Sequence, residues 1–327
     1  MKKIAIIGSG LSGLSVANLL KNHAQIILFE KSRGVSGRMS TRQAHSYFFD
    51  HGAQYFTVRT EVFRDFIRPL KNQGIVKQWN PRYLKFNDNQ IIDCQDWGKG
   101  GPHYVGAPGM NAIAKYLATD LTVYLNTKII SLKHQNKWQL IDDQGQEYLN
   151  FDWVISTVPS VQAAQLIPKY FKYHSTIKKI EMEPCFSLML GFKETLNLEF
   201  EAAHVENADL SWIAINSNKP ERGKPFTLVV HSSPKYAKTN INNNQEKITQ
   251  HLISETSRII GQNLNSANHK AIHRWLYANT KKRENNTIFL DYEHQLAACG
   301  DWCFGNRIEE AFISGYNLAN QIKENVL

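Results

Sequence analysis

Lys3-Ile4-Ala5-Ile6-Ile7-Gly8-Ser9-Gly10-Leu11-Ser12-Gly13 is the stretch on which the reading of this chain turns. Lys3 to Ile7 is short and β-branched, the pattern of a buried strand. Gly8, Gly10 and Gly13 then fall in the spacing G-x-G-x-x-G. Leu11 to Lys21 follows with helical apolar spacing through Leu14, Ala17, Leu19 and Leu20, and Gln25 to Phe29 reads as a second strand closed by Glu30. Each residue type has a job in a dinucleotide-binding βαβ unit. Gly8 permits a tight turn, Gly10 lets a pyrophosphate approach the backbone, and Gly13 lets the helix pack closely on the strand. The helix start at Leu11 and Ser12 offers N–H groups and positive dipole to phosphate. Glu30, about 20 residues on, is placed to accept hydrogen bonds from ribose hydroxyls.

The 327 residues exceed one simple core and suit two domains; 42% hydrophobic and 20% charged is an ordinary globular balance. No stretch approaches the roughly 18–20 apolar residues of a bilayer span. The apolar run Ile4 to Ile7 is too short for a secretory leader, so the cytoplasm is the expected compartment. The cysteines Cys94, Cys185, Cys299 and Cys303 show neither redox nor zinc-site spacing, and no metal is expected. The net charge of +9 fits an anionic small ligand. The basic residues are scattered, with Lys281-Lys282-Arg283 the densest cluster, and no nucleic-acid motif or internal repeat is evident.

Beyond the opening unit, helices are expected at Thr60 to Gly74 and Asn111 to Ala118, with a Gly/Pro-rich connection between Gly98 and Gly109. Hairpin-like strands follow at Thr122 to Leu125, Ile129 to His134 and Trp138 to Asp142, then a buried strand from Trp153 to Thr157. A strand-loop-helix unit closes the chain around Ala297 to Ile322. The expected fold is α/β: a discontinuous Rossmann-type cofactor domain with an inserted mixed α+β substrate domain. The boundaries read as 1–58, 100–160 and 285–327 for the former, and 59–99 and 161–284 for the latter.

The dinucleotide unit alone does not choose between NAD and FAD. Glu30-Lys31-Ser32-Arg33-Gly34-Val35-Ser36-Gly37-Arg38 adds a second glycine turn, where Arg38 either reaches the pyrophosphate or is an exposed loop cation. From here the likeness becomes specific. Met39 to Arg42, Asp50-His51-Gly52-Ala53-Gln54-Tyr55-Phe56-Thr57, Gly109-Met110-Asn111 and Val154 to Pro159 share it. So do Pro184 to Phe192, Leu210 to Ala214, His273-Arg274-Trp275 and Cys299-Gly300-Asp301-Trp302 through Gly315. Over nearly its whole length the chain resembles FAD-dependent amine oxidases and their renalase-like relatives, the bacterial renalases most.

The resemblance implies noncovalent FAD, although Cys303 lies close to the flavin motif. It implies cofactor contacts at Gly8, Gly10, Leu11, Ser12, Gly13, Glu30, Lys31, Arg38, Met39, Gly52, Ala53, Gln54, Tyr55, Ile129, Thr157, Gly300, Asp301, Ile308, Glu309 and Ala311. In such proteins the last helix starts beneath the flavin pyrimidine ring, where its N–H groups favour charge on reduced flavin. Two departures stand out. Glu310 replaces a commoner Gly and is expected to face solvent, and Ser36 replaces a Gly in the second turn.

For substrate, Gln54 can orient an amide, while Tyr55, Phe56 and Thr57 line the same segment. Phe56 reads equally well as core. Trp212, His231 and Trp275 are candidate cavity walls, with Tyr277 beside them. His231 is the one group there that exchanges a proton near neutrality, although a lone strand histidine is ordinarily structural. The implied reaction is hydride removal from 2- or 6-dihydro isomers of NAD(P)H to give NAD(P)+, with O2 reduced to hydrogen peroxide. Two rivals are an FAD-dependent amine oxidase and a non-catalytic dinucleotide-binding or redox-sensing protein. The partners are then a small dinucleotide and O2, with no nucleic acid or membrane; oligomeric state is left open.

Overall fold

The computed structural model describes residues 1–97, 101–280 and 287–326; Lys281-Lys282-Arg283 and the first residues of the Gly98 to Gly109 connection lie outside these. The chain forms two compact units: residues Met1–Met39, Ile113–Met182 and Asn279–Leu327 make the first, and Ser40–Ala112 and Glu183–Ala278 the second.

The first unit is built on a six-stranded sheet. Its parallel strands run in the order Leu296–Ala298, Trp153–Ser156, Lys3–Ile7, Gln25–Phe29 and Thr122–Tyr124, with Phe289–Asp291 antiparallel at one edge. Ile4, Ala5 and Ile6 have no exposed surface, as a strand covered on both faces requires. Helix Leu11–Leu20 returns the chain between the first two strands, and the C-terminal helix Ile308–Asn325 packs along it. There Gly315 is needed: a Cβ would stand 2.6 Å from the Ser12 carbonyl oxygen. An antiparallel meander, Ile129–His134, Trp138–Asp142 and Glu147–Phe151, adds Trp138, Leu140 and Phe151 to the core.

The second unit holds a seven-stranded sheet ordered His269–Thr280, Met182–Phe192, Phe226–Ser232, Leu210–Ile215, Ala202–Glu206, Arg82–Asn87 and Gln90–Asp96. Helix Gln245–Ile260, capped by Asn244 and ended by Gly261 at φ +67°, buries Ile248, Leu252, Ile253 and Ile259. The earlier helix, Glu61–Asn72, starts where Thr60 accepts the Phe63 amide and buries Phe63, Ile67 and Leu70 on one stripe.

Three expectations need correction. Residues 40–58 and 101–112 belong to the second unit, because Thr41–Ala44 pairs with Tyr47–Asp50, and Tyr104–Gly106 pairs with Val76–Gln78. Residues 161–182 belong to the first, where Ala163, Ile167, Phe171 and Ile177 enter its core. Finally, Thr122–Tyr124 is a parallel edge strand beside Gln25–Phe29, not part of a hairpin.

Candidate functional site

Four adjacent parallel strands of the first unit end on the same side. Their next residues are Gly8, Glu30, Thr157 and Cys299-Gly300-Asp301. Open α/β sheets bind ligands in the crevice at such carboxyl ends. Gly8 has φ +105°, and a Cβ there would meet Thr157 Oγ1 at 2.7 Å. The Thr157 hydroxyl donates to the carbonyls of Ile7 (3.1 Å) and Gly8 (2.9 Å). A Cβ on Gly13 would stand 2.2 Å from Gly8 O, so helix and turn are in direct backbone contact.

Gly10 differs from both. A Cβ there meets nothing within 4 Å, so no protein neighbour demands glycine at this position. It caps Leu11–Leu20 without a side-chain cap bond. An open space at a bare helix N-terminus, next to a buried carboxylate, is what a dinucleotide pyrophosphate and ribose need. Glu30 Oε2 accepts from Ser9 N (3.0 Å) and Ser9 Oγ (2.9 Å), and Oε1 from Ser32 N (2.9 Å). The carboxylate is thereby fixed in orientation with accepting capacity to spare. The second glycine turn lies on the first: a Cβ on Gly37 would meet Gly10 Cα at 3.3 Å, and Ser36 N donates to Ser9 O (3.1 Å).

Arg38 is not a loose loop cation. Its guanidinium donates to Asp301 Oδ1 at 2.5 Å, and Asp301 is buried. Ser12 Oγ donates to Ala311 O (2.8 Å), tying the first helix to the last. Leu11, Met39, Ile129 and Glu309 are buried in this unit, whereas Lys31 is exposed and Ile308 half-buried. Glu310 does not point into solvent as expected. Its carboxylate turns back to accept the amides of Asn306 (2.7 Å) and Arg307 (2.8 Å), shaping the entry to Ile308–Asn325. Cys303 is fully buried in the core. Asp291, Glu293 and His294 bring ligand-type atoms within 4.8 Å of one another; Asp291 and His294 are already hydrogen-bonded together (2.9 Å).

The remaining expected residues lie in the second unit, around a buried charge cluster that sequence reading missed. Asp50 is fully buried. Its Oδ2 accepts from Arg222 Nε (2.9 Å) and Nη2 (2.6 Å), with Lys219 Nζ at 3.6 Å. Oδ1 accepts from Thr41 Oγ1 (2.7 Å) and Met110 N (3.0 Å). Burial raises the Asp50 pKa, but the two cations and these bonds outweigh it and hold the carboxyl below its ordinary value. Lys219 has no exposed side-chain surface, and burial brings its pKa down to about 8 despite Asp50.

Gln54 belongs to this cluster. Its Oε1 accepts from Lys219 Nζ (3.0 Å), and its Nε2 donates to the carbonyls of Asp50 (2.5 Å) and Gly52 (3.0 Å). Gln54 was expected to orient a substrate amide; both hydrogens of its Nε2 are used within the protein, while Oε1, holding Lys219, keeps a second acceptor site. Phe56 is core, its ring against Phe63 and Tyr104 and its backbone exchanging two hydrogen bonds with Tyr104. Gly52, Ala53, Tyr55 and Thr57 are half-buried.

His231 and Trp275 both come to His51. Trp275 stacks on the His51 ring (5.4 Å between centroids) and its Nε1 donates to the His51 carbonyl (2.8 Å). Burial, then the Lys219 charge, lowers the His231 pKa to about 4. Burial, His273 and Arg42 lower His51 to about 3, and burial and Arg42 lower His273 to about 4. All three are neutral imidazoles at pH 7. Trp212, the cross-strand partner of His231, lies in an aromatic group with Tyr55, Tyr83 and Trp97.

Residues 6–70 match an NAD(P)-binding Rossmann-like domain, and residues 80–323 match the flavin containing amine oxidoreductase family. A prenylcysteine oxidase 1-like protein of Bos taurus is 32% identical over 108 residues, 29% of this chain and 20% of the relative. The chain thus spans about a fifth of that relative's length. Solved structures share the fold at low identity. One, assigned as a protoporphyrinogen oxidase from Exiguobacterium sp. 255-15, has a TM-score of 0.79 at 12% identity over 99% of both chains. Reduced UDP-galactopyranose mutase has 0.76 at 13%, over 99% of this chain and 96% of that one. A redesigned triple mutant of putrescine oxidase has 0.74 at 11% over 99% of both. In no helix of the described residues is there a span long and apolar enough to cross a membrane. With most of its length matched by one family and a dinucleotide cradle at the carboxyl ends of its central strands, this chain belongs to the flavin containing amine oxidoreductases, with FAD as its cofactor.

Proposed function

We propose that this chain is an FAD-dependent oxidase that takes a hydride from 2- or 6-dihydro isomers of NAD(P)H, giving NAD(P)+ while O2 becomes hydrogen peroxide. The observation that supports an anionic substrate is the charge of the second unit. Asp50 is outnumbered by Arg222 and Lys219, and Arg42 stands 3.2 Å from His273. The histidines beside them are neutral. The field of this net positive, buried cluster favours a phosphate-bearing dinucleotide over an ammonium.

In this reading Gly8, Gly10, Gly13 and the start of Leu11–Leu20 hold the FAD pyrophosphate. Glu30 holds the ribose, and the Arg38–Asp301 pair serves the phosphate and ribityl portion. Bound FAD supplies a two-electron acceptor that O2 regenerates. The protein binds, orients and excludes water. Hydride transfer needs alignment more than an acid or base, so neutral His231 has no required proton to move.

The test mixes purified FAD-loaded protein anaerobically with each dihydro isomer while flavin absorbance is followed. Bleaching, reversed by air with peroxide formed, supports the proposal. Bleaching by amines with saturation, and not by the isomers, favours the amine reading to which the family's description points. Bound FAD that neither class reduces leaves the non-catalytic reading.

A further inference from the structure

Within the second unit the Trp97 indole is held between two parallel rings. His103 stacks on it at 4.0 Å with an interplanar angle of 7°, and Tyr83 at 4.8 Å and 4°. Tyr55 meets it edge-on at 4.5 Å, and Trp79 at 6.0 Å and 86°. Trp212 lies 5.5 Å away. Such a slot gives a flat aromatic ring two faces to stack on and edges to close it.

Its walls are polar in an unusual way for a core. Trp79, Trp212 and His103 are 3%, 8% and 9% exposed. Trp79 Nε1, Trp212 Nε1 and His103 Nδ1 have no hydrogen-bond partner among the described residues. Buried polar groups are normally paired, and leaving one unpaired costs about 1–3 kcal/mol. Three in one aromatic group indicate partners that a ligand provides. Lys219 Nζ, 5.2 Å over the Trp79 ring, joins this group to the charge cluster.

We infer that this slot is a binding subsite for a planar heteroaromatic ring, and that Trp97 occupies it in the ligand's stead. The ring stacks between Tyr83 and His103 and takes hydrogen bonds from the Trp79 and Trp212 indoles. The ligand class is a flat heterocycle carrying acceptor atoms, such as the carboxamide-bearing pyridine ring of the NAD(P)+ product. For the identity of that ring, and only there, the inference rests on the function proposed above. Ligand and Trp97 compete, so the apparent affinity of the natural chain is lowered by the fraction of time the slot is free.

The experiment is calorimetric titration of the FAD-loaded chain with nicotinamide, and with cyclohexanecarboxamide as a saturated, non-planar control. Trp97→Ala is expected to bind nicotinamide at least about tenfold more tightly than the natural chain, corresponding to a slot free about one-tenth of the time. Cyclohexanecarboxamide should gain little. Equal gain for both compounds, or none for nicotinamide, overturns the inference and makes Trp97 a core residue. If Trp97→Ala does not fold, Trp212→Phe keeps a ring and removes the N–H. It should weaken nicotinamide binding about tenfold, the scale of a hydrogen bond lost to a buried acceptor, and unchanged affinity overturns the inference. Flavin bleaching by the dihydro isomers is read separately. Tight nicotinamide binding without bleaching keeps the subsite and discards the substrate; bleaching without competition by Trp97 does the reverse.

Discussion

Lys219→Met is the perturbation whose outcome the second unit fixes most sharply. The lysine is fully buried, and its pKa falls from 10.5 to about 8. That depression means the protonated form is held at a cost of about 3 kcal/mol relative to water. Replacement by methionine removes this cost but strips Gln54 Oε1 of its donor, about 1–3 kcal/mol in the other direction. At neutral pH the two nearly cancel, and stability should change by less than about 2 kcal/mol. The pH dependence is where the lysine shows. Its folded pKa lies below its unfolded one, so the unfolded chain binds more protons between about pH 8 and 10.5. Stability from this group therefore rises with pH across that window. Cys185 works against it: burial pushes its thiol from 9.0 up to about 12, so the unfolded chain loses that proton first and stability falls. A single curve mixes the two, and the difference between natural chain and variant isolates Lys219. Urea unfolding of FAD-saturated protein at successive pH values should show the natural chain gaining about 3 kcal/mol on the variant between pH 7.5 and 10.5. A flat difference would refute the buried, charge-bearing lysine.

Gly10→Val should abolish FAD retention while the apoprotein keeps its melting temperature, because its side chain enters space that no protein atom fills; normal flavin content would remove Gly10 from the cradle. Ser36 sits at φ +118°, a region that favours glycine, so Ser36→Gly should stabilise the chain by about 1 kcal/mol in urea unfolding. His51, His231 and His273 have folded pKa values of about 3, 4 and 4, below the ordinary 6.5. The unfolded chain therefore takes up more protons from pH 6.5 downward, and the urea midpoint should fall as pH drops from 6.5 towards 4. A midpoint constant over that range would contradict the burial of these rings.

The cofactor cradle was legible because its chemistry is local: three glycines, a strand on each side and Glu30 lie within 30 residues. Its far side, Gly300-Asp301 and Ala311, was reached through likeness alone, since nothing near residue 300 says that Asp301 meets Arg38. The charge cluster was not legible. Asp50 and Arg222 are 172 residues apart, and Lys219 before a proline reads as an ordinary surface turn. Only tertiary burial distinguishes it, and the nearest signal is the apolar run Tyr47-Phe48-Phe49 before Asp50. Gln54 was noticed but its partners were not, because they are carbonyls of its own turn and a distant lysine. Thr122–Tyr124 was found as a strand and given the wrong neighbours, since alternation along a strand says nothing about which strand lies beside it.

The bond from Ser12 to the carbonyl of Ala311 spans 299 residues. Gly315 against the Ser12 backbone closes the same junction. Ser12 is made 299 residues before Ala311, so the phosphate-binding turn is unbuttressed until helix Ile308–Asn325 is present. The nascent chain must carry its first strand and turn without their sheet partners Trp153–Ser156 and Leu296–Ala298 while the second unit's long segments are made. The junction that supports the phosphate-binding turn is therefore completed only when helix Ile308–Asn325 has been made.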